Sequence, residues 1–111
     1  MAPVEMQGAV GVIRPRGPID AGHCPALLES VMNGLGPGRP MLVVDLHDVP
    51  LIDSAGLETL VTIRDRIESK GGAVKLASVN GLCADILRVT GVSERFEQYA
   101  QARQAVGSFA V

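Results

Sequence analysis

Val49-Pro50-Leu51-Ile52-Asp53-Ser54-Ala55-Gly56-Leu57 joins two different hydrophobic patterns. Before it, Met41-Leu42-Val43-Val44-Asp45-Leu46 is a continuous apolar run. Continuous rather than alternating hydrophobicity marks a strand covered on both faces, as in the middle of an α/β sheet. After it, Leu57, Leu60, Val61 and Ile67 fall on one helical face with Ile63 at its border. Arg64, Asp65, Glu68 and Lys70 lie mostly opposite, so the spacing predicts an amphipathic helix from about Ser54 to Gly71. Gly71-Gly72 supplies its left-handed stop. The nine residues are therefore a strand-to-helix junction. Asp53 or Ser54 can cap the helix by accepting a bond from a backbone N–H two or three residues on. Gly56 costs helix propensity in the first turn, which points to close approach of another backbone or of a ligand. The Ser54 hydroxyl should lie at the surface beside unpaired N–H groups, where partial positive charge tolerates a phosphate.

Working upstream, Val4 to Met6 reads as a short extended piece and Gln7-Gly8 as a turn. Val10, Val12 and Ile13 make a strand, which Arg14-Pro15-Arg16-Gly17-Pro18 interrupts before Ile19 and Asp20. Pro25 opens a helix carrying Leu27, Leu28, Val31, Met32 and Leu35, and Gly34-Leu35-Gly36-Pro37-Gly38 ends it. Downstream, Val74, Leu76 and Val79 mark the next strand region. Asn80 can cap a third helix bearing Leu82, Ile86, Leu87 and Val89, which stops at Gly91. Arg95 to Tyr99 is a short strand, and Ala102, Ala105, Val106 and Phe109 form the apolar stripe of a last helix. Strands alternating with helices imply right-handed parallel crossovers. The expected fold is α/β, one mixed and mostly parallel sheet of four to five strands with an N-terminal hairpin edge and about four helices.

Length and composition agree. The 111 residues suffice for one domain, 1–111, and leave no room for two cores. With 47% hydrophobic and 20% charged residues the chain is globular rather than disordered. No apolar run reaches a membrane-helix length, so no membrane insertion is expected. No basic stretch leading into a long apolar core opens the sequence, so no signal peptide is expected either, and the chain reads as cytoplasmic. The net charge is −2 and the ten basic residues are scattered. With no Trp, one Tyr and two Phe, neither a nucleic-acid surface nor a base-stacking platform is indicated. Cys24 and Cys83 form no C-x-x-C pair and read as free thiols.

Enzymatic alternatives fail on their own requirements. A nucleophile elbow needs Gly-x-Ser-x-Gly, but Ile52 stands where the first glycine belongs, and His23 and His47 are the only candidate bases. Asp45 and His47 share one side of a strand while Asp48 alternates away, which makes a poor metal set. The glycines between Gly34 and Gly38 follow a helix and lack the Lys-Ser/Thr of a phosphate-binding loop. No catalytic residue, metal or cofactor is therefore assigned.

Asp53-Ser54-Ala55-Gly56-Leu57, placed after Val43-Val44-Asp45-Leu46, resembles the signature of the STAS domain, and within that family it is most similar to bacterial anti-sigma factor antagonists. Gly17-Pro18-Ile19-Asp20 resembles the strand end beside that signature, and Gly71-Gly72-Ala73-Val74-Lys75-Leu76 the return strand. Leu82 to Gly91, followed by Phe96, matches the third helix and its sequel. The resemblance implies a binding switch. Ser54 corresponds to the serine phosphorylated by a partner kinase that is also an anti-sigma factor. That kinase brings ATP and Mg²⁺, and a serine phosphatase resets the switch. The unphosphorylated form binds the anti-sigma factor and frees the sigma factor. Asp20, Asp53, Ser54, Ala55, Gly56, Leu57 and Glu58 are the expected partner-binding residues. Glu58 departs from the pattern, since many relatives carry a small residue there. The resemblance equally covers constitutive STAS adaptors in transporter ATPase complexes, in stress-sensing assemblies or beside anion transporters. It leaves a homodimer open.

Overall fold

The apolar run at Met41 forms the centre of the sheet. In the computed structural model, which describes residues 3–110, β3 spans Met41–Asp45 and lies between β2 (Val10–Ile13) and β4 (Ala73–Ala77). β1 (Glu5–Gln7) and β5 (Glu97–Tyr99) complete a five-stranded sheet in the order β1-β2-β3-β4-β5. Only β1 runs antiparallel, pairing Glu5 with Val12 and Gln7 with Val10. The other three pairings are parallel. The hairpin turn uses Gly8 at φ +63°, a backbone state that suits glycine.

Alternation along β3 divides the core. Leu42 and Val44 face one side, where α1 (Cys24–Gly34), α2 (Ser54–Ser69) and α3 (Gly81–Val89) supply Leu27, Val31, Leu60, Ile63, Ile67 and Leu87. Val43 faces the other side with Val10, Val12 and Ala77, covered by Ala105 of the short α4 (Ala102–Ser108). Both faces of β3 are thus buried, as its unbroken hydrophobicity predicts. The Phe109 stripe packs against this second face. Lys75, also on that face, is buried, and its Nζ donates to Ser108 Oγ at 2.6 Å and lies 4.1 Å from the Phe109 ring centre. Its charge is met by the Glu97 carboxylate at 3.6 Å together with that hydrogen bond and the ring face, which is how a buried cation is tolerated. Both cysteines are free and buried. No helix among the described residues is long and apolar enough to cross a membrane.

Several boundaries and one face differ from the sequence reading. β1 begins at Glu5 rather than Val4, whose side chain instead packs against the main core. β4 ends at Ala77, because Ser78 turns the chain at φ +56° before Val79. Residues Val92–Arg95 form a 3-10 turn, so only Glu97–Tyr99 of the expected Arg95–Tyr99 strand pairs. On α2, Ile63 is fully buried while Val61 is only partly covered. The buried stripe is Gly56, Leu60, Ile63 and Ile67, centred about a sixth of a turn from the expected one. The stop after α2 is tighter than a flexible end, because a Cβ on Gly72 would lie inside the Pro40 carbonyl oxygen.

Candidate functional site

The site is assembled from two loops that leave parallel strands and run side by side. After β2 the chain continues through Ile19, which makes a parallel bridge to Ile52. Ile19 N–H donates to the Leu51 carbonyl at 3.0 Å, and Asp53 N–H donates to the Ile19 carbonyl at 3.2 Å. This extension of the sheet delivers Asp20 next to Asp53, although 33 positions separate them in sequence.

Asp53 is the helix cap. Its Oδ1 accepts from Gly56 N–H at 2.8 Å, and its backbone carbonyl accepts the first helical bond from Leu57 at 2.9 Å. Its Oδ2 accepts from Ala21 N–H at 3.4 Å. One carboxylate thus caps α2 and also ties down the Asp20 loop. Asp53→Ala is expected to cost about 1 kcal/mol, the usual worth of such a cap, whereas Asp53→Asn keeps most of it. Urea midpoints of the two variants check this, and equal losses would show that the capping bond is not what matters.

Gly56 resolves the choice left open by its cost in the helix. It is buried, and a Cβ there would come 2.2 Å from the Ile19 carbonyl oxygen and 2.8 Å from Ile52 Cγ2. The close approach is to the chain's own neighbouring loop. Gly56 therefore shapes the surface from beneath, rather than facing a partner as a contact residue would. Ala55 and Leu57 are half-buried and Glu58 is exposed.

Ser54 is the first residue of α2 and is exposed. Its Oγ makes no hydrogen bond among the described residues. The Ser54 and Ala55 N–H groups likewise find no acceptor there, while those of Gly56 and Leu57 are taken by Asp53. A free hydroxyl thus stands beside two free donors at the positive end of a four-turn helix. Such a tip accepts a phosphate without rearrangement.

His23 joins the site without having been singled out for it. Its Nδ1 lies 2.6 Å from Asp20 Oδ1, which also accepts from His23 N–H at 3.2 Å. Asp20 thereby holds the turn that leads into α1, whose N-cap is His23. The hydrogen bond from the His23 ring, aided by its charge, holds the Asp20 carboxyl below the ordinary aspartate range against a smaller opposing effect of desolvation. The folded value lies below the unfolded one, so this contribution to stability is present above the unfolded pKa. It is lost as the pH falls through the folded value. In His23→Ala the Asp20 titration, followed by carboxyl NMR, is expected to move up toward the ordinary range. An unmoved midpoint would reject His23 as the cause.

On the other side of Ser54, the loop is fastened to α3. The Val49 carbonyl accepts from Asn80 Nδ2 and from the Cys83 thiol at 3.3 Å. Asn80 also caps α3 through Cys83 N–H at 3.1 Å. Burial pushes the Cys83 thiol up, so it stays protonated as this donor. A cleft of about 590 Å³ runs along α2 past Ser54, Leu57, Glu58 and Val61 to Val92 of the 3-10 turn. A second cavity, of about 630 Å³, is lined by His23 and by Asp48 of the β3–α2 loop but does not reach Ser54. It is lined by charges of both signs, and its Arg14 is already paired with Glu5 and Asp45 at 3.2 Å each. The metal set weighed at Asp45 and His47 dissolves here, since Asp45 accepts from Arg14 and from His47 N–H.

With this geometry in place, the chain can be set beside known proteins. The STAS domain family model matches residues 1–105. The chain belongs to the STAS family. Among solved structures, an anti-sigma factor antagonist from Mycobacterium paratuberculosis is 24% identical, with a TM-score of 0.84 over 97% of this chain and 92% of that one. The anti-sigma factor antagonist SpoIIAA in its unphosphorylated form is 15% identical, with a TM-score of 0.76 over 99% and 96%. The STAS domain of a SulP transporter from Vibrio cholerae is 18% identical, with a TM-score of 0.74 over 96% and 84%. At these identities the likeness is one of fold. The STAS fold thus places Ser54 at the tip of its second helix, beside the loop that carries Asp20.

Proposed function

We propose that this STAS domain is an anti-sigma factor antagonist, a cytoplasmic binding switch rather than an enzyme. Its unphosphorylated form binds an anti-sigma factor that is also a serine kinase, and so releases the sigma factor. The kinase brings ATP and Mg²⁺ and phosphorylates Ser54, which ends the binding. A serine phosphatase restores it. The observation that carries this reading is the free, exposed Ser54 hydroxyl at the tip of α2 beside two unused N–H donors. The likeness to antagonist structures supports it.

A phosphoserine adds about −1.5 to −2 charge and three acceptor oxygens. On a chain of net charge −2 this roughly doubles the charge. The helix tip offsets only about 0.3–1 kcal/mol of that at an exposed position. The dianion must be desolvated when a partner covers the tip, and Asp53, the preceding residue, and Glu58, one helical turn on, oppose it. Local blocking therefore suffices, and no refolding is required.

The test is direct. The protein is incubated with the anti-sigma serine kinase encoded nearest its gene and with ATP and Mg²⁺, then weighed intact and mapped. One phosphate, on Ser54, is expected. A stable complex with a transporter ATPase and no phosphate would instead support a constitutive adaptor, the reading favoured by the likeness to a transporter STAS domain.

A further inference from the structure

Lys75 breaks the pattern of its strand. In β4 it stands between Val74 and Leu76, and all three are buried. A cation inside a packed sheet opposes the packing above it unless partners meet it fully. An ammonium has three donors. Among the described residues one of them has a close acceptor, Ser108 Oγ at 2.6 Å. The Glu97 carboxylate, at 3.6 Å, lies past hydrogen-bond reach, and its side chain is 68% exposed. The remaining cover is aromatic, with the Phe109 ring centre at 4.1 Å and that of Tyr99 at 5.6 Å. Of these four partners, Ser108 ends α4 and Phe109 is its C-cap. The helix that buries Lys75 is thus also what holds it.

That helix is lightly docked. Among its seven residues Ala105 is the one fully buried, while Ala102 and Val106 are partly covered. Seven residues are too few for a helix that persists once undocked. Gly107 lowers its propensity further, although nothing lies within 4 Å of a Cβ there. Just ahead of α4 the chain is pinned. Ser78 N–H donates to the Tyr99 carbonyl at 3.0 Å, and Ser78 Oγ donates to the Ala100 carbonyl at 3.3 Å. Release of α4 therefore stops at Ala100 and leaves β5 in place. We infer that α4 is a strap poised to open over the second face of the sheet, and that Lys75 sets its balance. Closed, the ammonium is held by Ser108 and Phe109 but keeps two donors without a close acceptor among the described residues. Open, it returns to water. Lys75 thus favours the open state relative to an apolar residue of its size, while Ser108 favours the closed one. Opening uncovers Val10, Val12, Val43 and Ala77, on the face of the sheet opposite α2. The device does not depend on what Ser54 binds.

The test is amide hydrogen exchange on the full chain, resolved by NMR, for wild type, Lys75→Met, Ser108→Ala and the double variant. In wild type the amides of Val106, Gly107 and Ser108 are expected to exchange faster than those of β3, because α4 opens without the rest of the sheet. Lys75→Met removes the ammonium and keeps its volume, so α4 exchange should slow by roughly tenfold. Ser108→Ala removes the one short hydrogen bond and should speed it by roughly tenfold. In the Lys75→Met background Ser108→Ala should add little, since the group it served is gone. The opposite signs are the signature of the device, because a purely structural tie would give faster exchange in both single variants. Wild-type α4 amides exchanging no faster than those of β3 would show that the two open only together, and would overturn the inference. Faster α4 exchange in Lys75→Met, or failure of that variant to fold, would overturn it as well, since either makes Lys75 a brace rather than a source of opening.

Discussion

Ser54→Glu is expected to lower affinity for the anti-sigma kinase by roughly 100-fold, and Ser54→Ala to leave it near the wild-type value even after incubation with ATP. A hundredfold is about 2.7 kcal/mol, within the range for burying an uncompensated charge in an interface. Among the described residues Ser54 Oγ has no partner to lose, so neither substitution should unsettle the fold. The alanine variant thus isolates the modification from the side chain. Calorimetric titration of the kinase into each variant reads the effect. Equal affinities for both variants and the wild type would remove Ser54 from the mechanism.

Gly56→Ala is expected to destabilise the protein by about 3 kcal/mol, the upper part of the range for overpacking a filled site. The clash is with the Ile19 carbonyl at 2.2 Å, which is backbone and itself bonded to Asp53 N–H. Relief requires the Ile19–Asp20 strand to move away from the Ser54 loop, so partner binding should weaken in parallel. Gly107→Ala is the matched control. It lies in α4 with nothing within 4 Å of the added methyl, and the change is expected to stabilise slightly through reduced unfolded-state freedom. Denaturation midpoints read both. A Gly56→Ala variant as stable as wild type would show that the two loops are not locked together.

Much of this arrangement is written locally. The apolar run at Met41 specifies a doubly covered central strand, and Asp53 with Ser54 specifies the start of α2, because strand burial and helix capping depend on neighbours in sequence. The partial failures have another origin. Val61 and Ile63 differ by less than a turn, and which of them is buried depends on where the sheet lies. Here it lies under Ile63, and Val61 is left to the cleft. The 3-10 turn at Val92–Arg95 has no periodicity to announce it. The second bond of Asp53, to Ala21, joins segments brought together by the parallel pairing of β2 with β3 and its extension through the Ile19–Ile52 bridge. Gly56 signals a close approach, but the sequence does not say that the approaching group is the chain's own Ile19. Leu51 and Leu82 read as ordinary apolar residues until the packed structure leaves them uncovered.

The central claim is that one phosphate at the tip of α2 blocks docking locally. The measurement that addresses it most directly is titration of the anti-sigma kinase into protein phosphorylated on Ser54 alone, with amide NMR shifts recorded on the same sample. Affinity should be roughly 100-fold weaker than for the unmodified protein, with shift changes confined to the Asp20 loop, the first turns of α2 and the start of α3. Undiminished affinity, or shift changes spread through β2, β3 and β4, would contradict it.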